Sequence, residues 1–422
     1  MLLRCIDCGR EYPADQVRNR CECGGLLDID LGLNRPLSTA RFDERLGARH
    51  GLDRSGVWRF RELLPPIPAE SVITKPEGNT NLYEVDQLAH WAGVERLVLK
   101  HEGENPTGSF KDRGMTVATS HARWVGARIV ACASTGNTSA SVASYAALAG
   151  IPSIVFVPEG KISAAKLGQT IAYGARIVQV RGDFDAAMKL VEQASTAYDI
   201  YLLNSINPFR LEGQKTILFD LLQQLDWKLP DWIVLPGGNL GNSSALGRAF
   251  IDLQATGIVS KLPRIAVIQA AGAAPFYEAF RSGFRGYEPV QAETVASAIR
   301  IGDPVSYTRA RRTIELTDGL VEIVTDAELL DAKAMIDRSG IGCEPASATT
   351  LAGLRKLVQS GAIPSNAFVA GVLTGNLMKD SETVIEYHLG ARSEKRQLAN
   401  RPVVIDPTLD ALEGVLAGAL QR

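Results

Sequence analysis

The chain has few histidines (5) and cysteines (6), 6% aromatic residues, and no excess of either charge over its 422 positions. Each scarcity excludes something. Lys plus Arg (45) against Asp plus Glu (47) leaves a net charge of −2, which gives no electrostatic case for nucleic acid or an anionic membrane as partner. Six cysteines in a chain this size, beginning "MLLRCIDCGREYP" without the apolar run of a secretory signal, argue against a disulfide scaffold and predict a reducing, cytoplasmic setting. Residues 129–158 contain no charged side chain. The run is nevertheless broken by Thr135, Gly136, Asn137 and Thr138, then by Gly150 and Pro152, so it reads as strand, loop, buried helix and strand, not as a membrane span.

What is present is alternation. Short β-branched runs start at 96, 128, 153, 176, 201, 232, 264 and 368, with Ala- and Leu-rich stretches of helical length between them. That order predicts mainly parallel sheets covered on both faces, with ligands beyond the carboxyl ends of the strands. At 45% hydrophobic, the chain can form two or three domains.

Several strand ends carry chemistry. "WIVLPGGNLGN" ends a buried strand at Pro236, and Gly237, Gly238 and Gly241 let N–H groups converge on an anion at a helix expected to begin near Ser243. The spacing G-G-x-x-G is neither the dinucleotide fingerprint nor a triphosphate loop; an ordinary tight turn would need the glycines just as much. "CASTGNTSAS" crowds Ser134, Thr135, Asn137 and Thr138 around a helix start, which suits a small carboxylate or, more simply, a cap. "NSINPFRLEGQKT" offers Asn204, Ser205 and Arg210 as a fork for a second anion. "ENPTGSFKDRG" puts Lys111 after Phe110, where a glycine-containing loop turns into a helix; a lysine with a chemical role needs a fixed stem and a partly apolar pocket. Thr374 of "VLTGN" and Glu344 of "GCEPASATTLAGL" each read alone as caps. Near the N-terminus, Cys5, Cys8, Cys21 and Cys23 form two knuckles, each followed by glycine, as in a four-thiolate zinc ribbon; a reduced, metal-free ribbon is the alternative. Cys132 and Cys343 are expected in the core.

Together the segments "ENPTGSFKDRG", "ASTGNTSASVASYAA", "NSINPFRLEGQKT", "PGGNLGN", "EPASATTLAGL" and "LTGN" resemble the threonine synthases, fold type II members of the pyridoxal-phosphate enzymes. One departure is "EGNTNL" at 77–82, where the family usually reads T-P-L, expected to affect a turn and little else. The resemblance implies two doubly wound α/β domains with the active site between them, plus the ribbon-like segment. The expected division is 1–30 ribbon, 31–70 wrapping arm, 71–117 with 205–422 the large cofactor-binding domain, and 118–204 the small domain. It implies pyridoxal 5'-phosphate as cofactor and one structural zinc as a further possibility, O-phospho-L-homoserine as substrate, and a homodimer. Lys111 is then the lysine that carries the cofactor. Phe110 lies beside it, Gly237, Gly238, Asn239, Leu240, Gly241 and Asn242 hold the cofactor phosphate, Asn137 meets the ring hydroxyl and Thr374 the ring nitrogen. A hydroxyl, unlike an aspartate, is expected to leave that nitrogen unprotonated and the ring a weaker electron sink. Ser134, Thr135 and Thr138 are implied for the substrate carboxylate; Asn204, Ser205 and Arg210, with Lys166 as a weaker candidate, for its phosphate. Alternatives are a cysteate synthase acting on phosphoserine, a serine or threonine dehydratase of the same fold, and a ribbon module on a non-catalytic α/β body.

Overall fold

The computed structural model describes residues 1–160, 164–182, 184–391 and 393–420. Among these described residues, thirteen strands fall into three sheets. The first is antiparallel and built from β1 (Leu2–Cys5), β2 (Glu11–Pro13) and β3 (Leu27–Asp30), in the order β2-β1-β3. β4 (Leu82–Glu84) and β5 (Arg96–His101) pair antiparallel at one edge of the six-stranded sheet. β6 (Val130–Ala133), β7 (Ser153–Pro158), β8 (Arg176–Val180) and β9 (Tyr201–Leu202) form an all-parallel sheet in the order β8-β7-β6-β9. β10 (Trp232–Pro236), β11 (Arg264–Ala270), β12 (Leu320–Val324) and β13 (Phe368–Leu373) complete the six-stranded sheet, ordered β12-β11-β10-β13-β5-β4. All eight strands expected from the β-branched runs are there. Those missed are β4 and the ribbon strands, only three or four residues long, and β12, whose apolar run LVEIV is half-buried.

The charge-free stretch folds as expected into β6, the helix Asn137–Ala149 and β7. Every residue of β6 and of β10 is buried, as parallel strands covered on both faces require. Among the described residues, no helix is long and apolar enough to cross a membrane. In the 31–70 segment the Phe42 ring packs 5.3 Å from Phe60, which packs 5.6 Å from Phe219 of the body. Asp380–Arg422 form a second compact unit, with helices Ser381–Leu389 and Leu409–Leu420.

The segment "EGNTNL" does more than shape a turn, which corrects the sequence reading. Glu77 is fully buried and accepts hydrogen bonds from Ser55 Oγ (2.5 Å), Tyr145 Oη (2.7 Å), Thr74 Oγ1 (2.9 Å) and the Lys75 N–H (3.0 Å). A carboxylate this well supplied organises its surroundings.

Candidate active site

Lys111 opens the helix Lys111–Trp124, and the residues on either side of it explain why its stem is fixed. Asp112 turns back: its carboxylate accepts from the Thr107 N–H and Thr107 Oγ1, both at 2.6 Å, and from Ser141 Oγ at 2.5 Å. Burial pushes that carboxyl up to about 6. Arg113 anchors the next position, bonding Glu102 and Asp220 at 2.6 Å each, and Asp220 also pairs with Lys100 (2.9 Å) and Arg59 (3.0 Å). Gly114 then allows close crossing of the helix Pro208–Gln214, where a Cβ at Gly213 would fall 1.8 Å from the Arg113 carbonyl oxygen. "KDRG" is therefore one reactive group followed by three residues that hold its backbone.

The amine of Lys111 lies 4.0 Å from the centre of the Phe110 ring. Burial, reinforced by the positive charge of Arg210 and opposed by Glu344, lowers it to about 7. A large fraction is thus a free, nucleophilic amine near neutral pH. Arg210 is 2% exposed; its Nη1 donates to the Leu203 carbonyl at 3.0 Å and its Nε has no partner. Burial lowers Arg210 to about 10, and no carboxylate among the described residues pairs with it.

Asn137, Thr374 and Glu344 come together. Asn137 Nδ2 donates to Glu344 Oε2 at 2.8 Å, and Thr374 Oγ1 lies 3.0 Å from Glu344 Oε1 and 2.9 Å from Ser347 Oγ. The Phe110 N–H donates to the Thr374 carbonyl at 3.0 Å, so the end of β13 touches the lysine loop directly. Ser134 and Thr135 are half-buried in the turn leading to Asn137 and Thr138 is half-buried in the first turn of the helix after it, with Ser134 Oγ accepting from the Gly136 N–H at 3.3 Å.

The glycine loop leads from β10 into the helix Gly241–Ala255, which starts two residues earlier than the sequence reading placed it. The residue with positive φ is Leu240 (61°), and no side chain caps the helix, so its first N–H groups remain available to an anion. Gly237 and Gly238 are needed for space: a Cβ would fall 2.6 Å from Val267 Cγ1 at the first and 3.0 Å from Ile299 Cα at the second. Asn239 is held by the Val305 N–H, and Asn242 accepts from Gln214 Nε2 at 2.9 Å, which ties the loop to the helix bearing Arg210.

Asn204 does not extend the Arg210 fork. Its amide clamps the end of β6, accepting from the Ala133 N–H at 2.9 Å and donating to the Ala133 carbonyl at 3.0 Å. Ser205 is half-buried next to it. The side chain of Lys166 lies outside the described residues.

Three groups were missed. Glu344 reads from sequence as a cap, yet its side chain caps nothing; the acidic residue before a Pro-Ala-Ser helix start is the available signal. Ser347 gave none. Lys379, five residues past Thr374, is lowered by burial and bonds Gln169, while the charges of Glu344 and Asp112 act on it.

In the ribbon, the four Sγ atoms of Cys5, Cys8, Cys21 and Cys23 lie within 4.8 Å of one another, with Cys5–Cys23 and Cys8–Cys21 at 3.5 Å. Tetrahedral zinc with bonds of about 2.3 Å would place its sulfurs about 3.8 Å apart, so the donors fit that ion. Tyr12 Oη is 3.2 Å from Cys21 Sγ, a donor suited to a thiolate ligand. Cys132 and Cys343 are core residues.

The lysine of lowered proton affinity and the uncapped glycine-loop helix fit a phosphorylated carbonyl cofactor, and the unpartnered Nε of Arg210 is free for a further anion. The model of the family described as pyridoxal-phosphate dependent enzyme matches residues 73–375. Threonine synthase of Methanocaldococcus jannaschii is 43% identical to this chain, covering 99% of each, and that of Methanosarcina acetivorans is 46% identical, covering 99% of this chain and 98% of the other. The crystal structure of threonine synthase from Escherichia coli superposes with a TM-score of 0.70 at 20% identity, covering 99% of this chain and 100% of that one, which shows a shared fold.

Proposed function

The chain belongs to the pyridoxal-phosphate-dependent enzymes and, among them, to the threonine synthases, and we propose that it converts O-phospho-L-homoserine and water into L-threonine and phosphate. The observation that carries this reading is the charge balance at Lys111. Lys111 feels the buried cation Arg210 on one side and the buried carboxylate Glu344 on the other, and Lys379 also acts on Glu344. Arg210 is fully buried with an unpartnered Nε. A buried cation without a counter-ion is costly unless the ligand brings the anion. A dehydratase substrate brings no phosphate; phosphohomoserine does.

When bound, pyridoxal phosphate supplies an electron sink next to the substrate amine. The chain's residues do the rest. The N–H groups of residues 237–242 hold the cofactor phosphate, Asn137 meets the ring hydroxyl and Thr374 the ring nitrogen. Ser134, Thr135 and Thr138 hold the substrate carboxylate, and Arg210, with Ser205 next to it, grips the phosphate at Cγ. Lys111 takes protons from Cα and Cβ as phosphate leaves Cγ, and returns protons to Cγ and Cα as water adds at Cβ. Its lowered proton affinity suits both directions of transfer. Apart from this site, Cys5, Cys8, Cys21 and Cys23 hold one structural zinc ion, on the strength of their spacing.

The test is phosphate release and product identification across a panel: phosphohomoserine, phosphoserine with sulfite, serine and threonine. Threonine formed from phosphohomoserine is the expected result. Turnover confined to phosphoserine with sulfite, or to the unphosphorylated amino acids, would overturn the reading.

A further inference from the structure

The helix Tyr307–Leu316 stands between the ribbon and the glycine loop and is tied to both. Arg309 and Arg312, three positions apart and so on one face of it, reach the ribbon. Arg309, 5% exposed, donates from Nη2 to the Leu27 carbonyl at 2.6 Å and from Nε to Asp28 Oδ1 at 2.7 Å; Arg312 Nη2 donates to the Ile6 carbonyl at 2.6 Å. Ile6 lies between Cys5 and Cys8, and Leu27 is the partner of Cys5 where β1 pairs with β3. The two arginines therefore hold main-chain oxygens that the four-thiolate cluster positions.

The start of the same helix holds the loop. Asn239 accepts from the Val305 N–H at 3.2 Å through its side chain and from the Ser306 N–H at 3.3 Å through its carbonyl. The Ser306 carbonyl closes the first helical turn, accepting from the Ala310 N–H at 2.9 Å, and also accepts from Ser244 Oγ at 3.4 Å, in the helix that follows the loop. These two helices meet without slack: a Cβ at Gly247 would fall 2.0 Å from Thr313 Oγ1. The ribbon also meets His121, which lies 2.8 Å from the Ala14 carbonyl, but that contact falls in the last turn of the lysine helix.

We propose that Arg309 and Arg312 are positioning residues that carry the metal state of the ribbon to the loop holding the cofactor phosphate, so that zinc and pyridoxal phosphate each favour binding of the other. The inference rests on two readings given above, zinc at the four thiolates and the cofactor phosphate at residues 237–242. With the ion in place the Cys5–Cys8 knuckle is fixed, and the Ile6 and Leu27 carbonyls hold the helix Tyr307–Leu316 in one position, which in turn sets Asn239 and the direction of the loop N–H groups. Without it, four thiols crowded within 4.8 Å share no common ligand and the knuckle is free to rearrange. The loop must then be ordered when the cofactor binds, and that cost is subtracted from its affinity. Linkage makes the effect reciprocal.

The experiment measures both sides of that linkage on the full chain. Cofactor-free protein is titrated with pyridoxal phosphate, zinc-loaded and after a chelator has removed the zinc, and zinc affinity is measured against a competing chromophoric chelator with and without pyridoxal phosphate. Removing zinc should weaken pyridoxal phosphate binding by about 5- to 150-fold, the ordinary range of coupling between two sites, and pyridoxal phosphate should tighten zinc by the same factor. 5'-Deoxypyridoxal, the same ring and aldehyde without the phosphate, should bind equally in both metal states. The double variant Arg309→Gln, Arg312→Gln should keep its zinc, bind pyridoxal phosphate more weakly than wild type when zinc-loaded, and lose most of the dependence on zinc. Where zinc-free wild type does not stay folded, the zinc-loaded double variant decides. Equal pyridoxal phosphate affinity of wild type in both metal states, an equal loss for 5'-deoxypyridoxal, or wild-type affinity in the zinc-loaded double variant overturns the inference. Wild-type protein that takes up no pyridoxal phosphate in either metal state would instead overturn the proposed function.

Discussion

Asp112 Oδ1 accepts the Ser141 hydroxyl hydrogen at 2.5 Å, joining the first turn of the lysine helix to the helix that follows β6. Because burial raises this carboxyl to about 6, the folded state holds its proton longer than the unfolded chain does. Its contribution to stability is therefore full below about pH 4 and is lost as pH rises toward about 6, opposite in sign to the buried Asp220, whose carboxylate is held low by Lys100, Arg113 and Arg59. Asp112→Asn should flatten that part of the pH profile, by up to about 3 kcal/mol at pH 7. Urea midpoints of the main transition from pH 4 to 8 measure it; parallel profiles for both proteins would refute the assignment.

Lys111→Ala should remove the visible absorption of bound cofactor together with turnover. The fold should survive, because Asp112 and Arg113 hold the helix start without the amine. Spectra, activity and circular dichroism on one preparation decide it, and retained turnover would sink the whole assignment.

Arg210→Leu should leave the cofactor spectrum unchanged and cut kcat/KM with phosphohomoserine by about 30-fold to several thousand-fold, equivalent to about 2 to 5 kcal/mol. The slow side reaction with unphosphorylated serine or threonine should change little. Arg210→Lys should recover only part, since an ammonium keeps the charge without the planar fork. Equal losses on both substrate types would show that Arg210 serves the fold.

Gly213→Ala places a methyl 1.8 Å from the Arg113 carbonyl oxygen. Backbone cannot yield there without moving the lysine helix, so a loss of at least about 3 kcal/mol is expected. A thermal midpoint within a degree or two of wild type would show that the two helices can separate freely.

Metal analysis of protein purified without chelators should find about one zinc per chain. Replacing Cys5 and Cys8 together by serine should abolish it. Unchanged zinc content in that variant would place the metal elsewhere.

The alternation of strands and helices and most residues of the site were legible in local pattern. The eight β-branched runs became eight strands because continuous burial on both faces demands continuous apolar residues, a local and legible pattern. Lys111, Thr374, Asn137 and the glycine loop were legible because each sits at a strand end or helix start, where backbone donors and carbonyls are unsatisfied and short polar residues collect. Only the tertiary structure decided how these residues are used. Asn204 looked like an anion ligand and is spent on Ala133; Glu77 looked like part of a turn and is a buried hub; Glu344 looked like a cap and faces Asn137 and Thr374 across 207 and 30 residues of chain. Those distinctions depend on which long-range neighbour satisfies a buried polar atom. No periodicity or spacing encodes that, because a carboxylate reads the same in sequence whichever donor completes its shell.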